Sequence, residues 1–182
     1  MLWRLALLIL AASLSAETLP FDLAGRPVNP FAAPGAKAVV FIFVRTDCPI
    51  SNRYAPEIRR LDAKFSPRGV AFWLVYPDPN EPVEAIRRHI HDYGYPATAL
   101  RDPEHSLVKQ AEVQVTPEAA VFAPNGNLLY HGRIDDRYVD FGKARPAPTT
   151  HDLELALGAV LAGKPAPNKA TRAVGCFLSD LR

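Results

Sequence analysis

Six consecutive apolar residues, Val39-Val40-Phe41-Ile42-Phe43-Val44, run into the polar turn Arg45-Thr46-Asp47 and then a cysteine, Cys48. A strand with one wet face would alternate apolar and polar positions. This run does not, so it predicts a strand over 38–44 covered on both faces, as in a sheet flanked by helices. Beyond Cys48, Ile50, Tyr54, Ile58, Leu61 and Phe65 recur at intervals of three and four, the apolar stripe of an amphipathic helix. Pro49 suits its first turn, where the amide it lacks would have had no partner. Cys48 therefore falls at a strand-to-helix junction, against the positive end of a helix. Free amides and the macrodipole stabilise a thiolate there and lower its pKa. Cysteine is also a common core residue, but Thr46, Asp47, Pro49 and Ser51 make a polar setting, which favours a reactive thiol.

The same two patterns continue along the chain. Val70–Tyr76 is a second apolar run and a second buried strand. Glu81-Pro82 opens a helix reaching about Tyr93, with Val83, Ile86 and Ile90 on one face. Residues 95–101 read as a short extended piece. Asp102-Pro103-Glu104-His105 opens a third helix through Ala111, with His105 on its surface. Ala119–Ala123 and Leu128–Ile134, joined through Asn125-Gly126, read as a hairpin. A last helix runs from a cap at His151 to Leu161, and Gly163 ends it. The polar stretch 135–150 reads as a connection, with Asp136 and Arg137 solvated and self-paired. Strands alternating with helices, then a hairpin and a helix, place the chain in the α/β class with a central mixed sheet flanked by helices. One domain over 17–163 is expected, followed by a tail over 164–182 that carries Cys176; the 182 residues suffice for its core.

Residues 1–16 have a single Arg4, an apolar stretch Leu5–Leu14 and small residues at Ser13, Ser15 and Ala16. This is the pattern of a secretory signal peptide, too short for a comfortable membrane span. The expected destination is the periplasm or the exterior, with no stable membrane insertion after cleavage. A net charge of +2 without a basic patch argues against a nucleic-acid partner. The chain has two cysteines, Cys48 and Cys176, and an oxidising compartment allows them to pair. His89 and His91 flank Ile90, so they share no helix face and make a poor metal pair. Arg133 lies in a charged cluster that ends a strand and is a candidate neighbour of the Cys48 thiolate.

These residues resemble the thioredoxin superfamily, and within it the secreted redoxin or thiol peroxidase-like branch. In that superfamily a strand ends at a Cys-x-x-Cys turn, and a helical proline lies eight residues after the first cysteine; Cys48 and Pro56 have that spacing. A cis-proline faces the reactive cysteine just before a strand, and Thr116-Pro117 before Ala119-Ala120-Val121-Phe122 matches. The hairpin at Asn125-Gly126 matches the next step. The resemblance spans about residues 20–163 and implies a thioredoxin-like fold. The chain departs from the pattern at Ser51, which replaces the second thiol of Cys-x-x-Cys. The peroxiredoxin threonine lies three residues before its cysteine, whereas Thr46 lies two before, and Glu118-Ala119-Ala120 holds no arginine where those enzymes place one. Asn52 stands where copper-delivering members carry their second cysteine.

The resemblance implies a thiol-disulfide oxidoreductase or thiol peroxidase. Cys48 would be the nucleophile, Thr46, Ser51 and Pro117 would shape its pocket, and Arg133 would lie near the thiolate. Ser51 cannot resolve a mixed disulfide or a sulfenic acid, so the resolving thiol would be Cys176 of the same chain, Cys176 of another subunit or an external thiol. The electron partner would be a redox protein, a small thiol or a peroxide, with no cofactor. Two other classes stay open: a copper(I) chaperone using Cys48 and Cys176, since soft thiolates favour that ion, and a non-catalytic assembly factor of the same fold.

Overall fold

A computed structural model describes residues 18–178; the predicted signal peptide lies outside the described residues. β1 (Ala38–Phe43) is the apolar run, with all six residues buried. It occupies the middle of a five-stranded sheet with β2 (Val70–Tyr76), β3 (Thr98–Arg101), β5 (Glu118–Phe122) and β6 (Leu128–Gly132), in the order β3-β2-β1-β5-β6. β1, β2 and β3 are parallel, while β5 runs antiparallel to β1 and β6 antiparallel to β5. The sheet is mixed, as expected, because a hairpin follows two crossover connections.

The two-residue period of a strand divides β1 between two cores. Ala38, Val40 and Ile42 face one side, with Val44 just beyond the strand, and pack with the stripe of α1 (Pro49–Phe65), Ile86 of α2 (Val83–Tyr93), and Leu153 and Leu157 of α4 (Asp152–Leu161). Val39, Phe41 and Phe43 face the other side and pack with Leu107 and Val108 of α3 (Ser106–Gln110). Phe31, Phe41 and Phe122 interlock there edge to face, with centroids 5.5–5.6 Å apart. The Cys48 junction thus sits at the end of the most deeply buried strand, under a helix anchored along its whole apolar stripe.

Several expectations are corrected at the element ends. α3 begins at Ser106 rather than near Asp102. Asp102 stays outside it and accepts hydrogen bonds from the amides of Ser106 and Val108, at 2.9 and 3.0 Å. His105 is buried rather than on the surface, in a left-handed backbone conformation, with Nε2 2.9 Å from Pro77 O. His151 occupies the cap position of α4 but makes no side-chain cap bond. The polar connection contains a small hairpin, β7 (Tyr138–Asp140) with β8 (Lys143–Ala144). Asp136 is buried instead of solvated and accepts from the amides of Thr149 and Thr150, at 2.6 and 2.9 Å.

The tail lies along the domain. Its residues 169–171 bridge the outer edge of β6, where His131 N donates to Lys169 O at 3.1 Å and Thr171 N donates to His131 O at 3.1 Å. Further on, β9 (Cys176–Phe177) pairs antiparallel with β4 (Val115–Thr116), the two residues before Pro117. No helix among the described residues is long and apolar enough to cross a membrane.

Candidate active site

Cys48 is the N-cap residue of α1, with extended backbone, and Pro49 is the first helical residue. Its carbonyl accepts the Asn52 amide at 3.1 Å, the first bond of the helix. Its side chain is left free of capping and points at the loop before Pro117. The Thr116–Pro117 peptide bond is cis, and Cys48 Sγ lies 3.1 Å from Thr116 O. β4–β9 pairing sets Cys176 opposite Thr116, which brings Cys176 Sγ to 2.7 Å from Cys48 Sγ. The two sulfurs, 128 residues apart in the chain, are free thiols in contact. Cys48 is 0% exposed, and Cys176 is only partly buried and covers it.

The proton is shared unequally. Burial pushes the Cys48 thiol up, but hydrogen bonds from the Cys176 thiol and from the hydroxyl and amide of Ser51 outweigh it and hold its pKa below the ordinary value. Burial, together with the hydrogen bond to Cys48 and the charge there, pushes Cys176 up to about 12. Of the two thiols Cys48 is therefore the more readily ionised and Cys176 the one that keeps its proton. Ser51 is completely buried beside the sulfur, and its hydroxyl gains a stronger acceptor when Cys48 ionises.

A directional chain of hydrogen bonds fixes the turn that carries Cys48. Tyr76 Oη donates to His89 Nδ1 at 2.8 Å, and His89 Nε2 donates to Asn52 Oδ1 at 2.7 Å. Asn52 Nδ2 donates to Thr46 O at 3.2 Å, and Thr46 N donates to Glu81 Oε1 at 2.8 Å. Because Asn52 must offer its amide nitrogen to a carbonyl, its oxygen faces His89, which assigns the proton to Nε2. Both ring nitrogens of His89 are engaged in this chain of bonds. Tyr95 Oη reaches Ser51 O at 3.4 Å.

The sequence candidates divide accordingly. Cys48, Ser51, Thr46, Pro117 and Cys176 come together, Thr46 through its backbone. Arg133 does not join them: its guanidinium is held by Asp152 at the start of α4, at 2.8 and 3.3 Å. The cation whose field reaches Cys176 is Arg45, which bonds Asp47 at 3.0 Å and Asp78 at 3.4 Å. Glu81, Asn52, His89 and Tyr95 were not legible as site residues. Their contacts to the 46–51 turn span up to 44 residues, and no spacing rule announces such contacts. Among the described residues, the cluster of three possible metal ligands is Glu57, His151 and Glu154, which includes neither thiol. Its two carboxylates are already taken by Arg60, and Lys64 also bonds Glu154.

Comparison with curated proteins finds no match. Among solved structures, the chain is similar to an uncharacterised conserved protein from Geobacillus kaustophilus, with 25% identity, 89% of each chain covered and a TM-score of 0.74. It is similar to a hypothetical protein from Sinorhizobium meliloti, with 24% identity, 89% of this chain and 91% of that one covered, and a TM-score of 0.74. A secreted Mycobacterium tuberculosis disulfide oxidoreductase homologous to E. coli DsbE shares the fold at 19% identity, with 81% and 96% covered and a TM-score of 0.53. The family profile of Redoxin matches residues 15–144, which include β1, Cys48, Pro117 and the hairpin but not the strand that carries Cys176. The chain belongs to the Redoxin family and has a thioredoxin-like fold.

Proposed function

We propose that this protein is an exported thiol-disulfide oxidoreductase with Cys48 as nucleophile and Cys176 as the resolving thiol of the same chain. The observation that carries the reading is the 2.7 Å approach of Cys176 Sγ to Cys48 Sγ at the end of α1. Family membership and the disulfide oxidoreductase among similar folds support it. Export rests on the pattern of residues 1–16 and on that neighbour being a secreted protein.

In the first step Cys48 thiolate attacks one sulfur of a disulfide. A Cys48–substrate disulfide forms, and the other sulfur leaves as a thiolate. That step removes the negative charge on Cys48. The hydrogen bond and charge that raise the Cys176 pKa are then gone, so Cys176 loses its proton more readily when a thiolate is next needed. It attacks Cys48 Sγ, closes the Cys48–Cys176 bond and releases the second substrate thiolate, which takes up a proton. Overall the substrate disulfide is reduced and the cysteine pair oxidised. Peroxide cleavage is less well served, because it needs a donor for the departing oxygen, and Arg133 is committed to Asp152.

The test uses reduced full-length protein and a disulfide substrate such as oxidised glutathione. Wild type should become two hydrogens lighter, with peptides of Cys48 and Cys176 linked. Cys176→Ser should stop at the mixed disulfide on Cys48, and Cys48→Ser should not react. A lasting Cys48–glutathione disulfide beside a free Cys176, or undiminished exchange by Cys48→Ser, would overturn the reading. Copper(I) held by both sulfurs is a second use of the pair, but it needs both thiols ionised, which the high pKa of Cys176 opposes. Stoichiometric binding of copper(I), lost in Cys48→Ser, would favour that use.

A further inference from the structure

The tail meets β4 as an extended peptide meets the edge of a sheet, and four consecutive residues are held differently. A Cβ built on Gly175 would lie 2.1 Å from Thr116 O and 3.1 Å from Pro117 N, so no side chain fits there. Cys176 is paired with Thr116 and turns its sulfur to Cys48. Phe177, opposite Val115, points away and is 73% exposed. Leu178 is 7% exposed, joins the apolar cluster of Leu107 and Val113, and donates its amide to Gln114 O at 3.1 Å. Among the described residues β9 is the one strand paired with β4. With the tail lifted, β4 is an open edge beside a bare thiolate, suited to take another extended segment by strand addition.

We infer that Gly175-Cys176-Phe177-Leu178 is a tethered copy of the protein segment accepted at the β4 edge. The accepted segment is extended, with glycine immediately before the cysteine, an unread residue after it and an aliphatic residue two places after it. The inference rests on the assignment of Cys48 as nucleophile and adds the substrate's form. Thr116 is the specificity-determining residue, through the carbonyl that excludes a side chain before the cysteine. The tail competes for the same edge at the high effective concentration of a tether, so it holds the site closed to other thiols until a matching segment displaces it.

Peptides with Ala-Val-Gly-Cys-Phe-Leu, each carrying its cysteine as a mixed disulfide with thionitrobenzoate, test this on full-length Cys176→Ser. Cys48 thiolate attacks the peptide sulfur, a Cys48–peptide disulfide forms, and thionitrobenzoate leaves as a coloured thiolate. Valine in place of the peptide's glycine should slow release about tenfold or more, the effect of one overpacked contact. Aspartate in place of its leucine should also slow it, and alanine in place of phenylalanine should change little. Adding Gly175→Val to Cys176→Ser should unseat the tail, raise the rates of all the peptides and keep their order. The order on the single variant stands as the test if the double variant does not fold. Equal rates for the glycine and valine peptides, with dithiobis(nitrobenzoate) still reacting at Cys48, would overturn the inference and leave the oxidoreductase reading intact. No reaction with dithiobis(nitrobenzoate) either would remove the nucleophile and this inference with it.

Discussion

Cys48 owes its lowered pKa to its neighbours. Burial opposes ionisation, and the Cys176 thiol and the Ser51 hydroxyl and amide overcome it. Cys176→Ala removes one donor and leaves most of the burial, so the Cys48 pKa should rise; ultraviolet thiolate absorbance against pH measures it, and an unchanged titration would discount that donor. His89 gives a second pH effect. Burial holds the ring below its ordinary pKa, against a pull from Asp92 in the other direction. Below about pH 6.5 the unfolded chain therefore binds a proton that the folded chain refuses, and stability falls as pH drops. Burial raises Glu81, Asp102 and Glu118; these bind protons better folded, so their contribution runs the opposite way. The difference between wild type and His89→Gln isolates the histidine. The variant should lose about 1–3 kcal/mol at pH 7.5, as broken buried hydrogen bonds do, and the gap should narrow by pH 5.5 in denaturant titrations. A gap independent of pH would show that the ring is not held neutral.

The tail is tied to the sheet at two crossings, and the first depends on Gly132. This residue has φ +137°, and a Cβ there would fall 2.2 Å from Thr171 O and 2.3 Å from its Oγ1. Thr171 Oγ1 in turn lies 2.7 Å from Tyr130 Oη and accepts from Arg133 N at 3.1 Å. Gly132→Ala should displace this crossing at a cost of about 2–3 kcal/mol, the combined effect of overpacking and backbone strain. The second crossing, β4–β9, is a two-residue ladder whose main apolar anchor is Leu178, worth about 1.5–3 kcal/mol if fully buried. Loss of the first crossing should therefore loosen the second. Limited trypsin digestion followed by mass spectrometry should find cleavage after Lys169 and Arg172 much faster in the variant than in wild type. Equal rates would mean that the tail is held elsewhere.

For the molecule as a whole, oxidation would join Cys48 to Cys176 and close a loop of 128 residues. In the chain-entropy account, a crosslink of that span stabilises the folded state by about 5 kcal/mol, mainly by restricting the unfolded chain. For a chain of this size that corresponds to a rise in Tm of roughly 10 °C or more. Calorimetry of the reduced and oxidised forms checks this, with Cys176→Ser as the control that should show no difference. A reduced form as stable as the oxidised one would mean that the reduced unfolded chain is already restricted, or that closing the bond distorts the site.

The architecture was legible wherever one local pattern decides a local outcome. An unbroken apolar run became β1, a stripe spaced by threes and fours became α1, and an Asn-Gly pair joined β5 to β6. The junction between the first two placed Cys48 at a helix start without any knowledge of its neighbours. These readings work because side-chain direction repeats with backbone geometry, so burial leaves a periodic trace in the chain. What surrounds Cys48 leaves no such trace. Cys176 reaches it across 128 residues, Thr116 O across 68, and Glu81 reaches Thr46 across 35. Arg133, placed near the thiolate by resemblance, turned to Asp152 on α4. Gly175 is set by its close approach to Thr116 O, a contact between residues 59 positions apart. Each of these contacts follows from packing distant surfaces together and drying the space between them. That process chooses partners by shape and charge in three dimensions, which no spacing along the chain records.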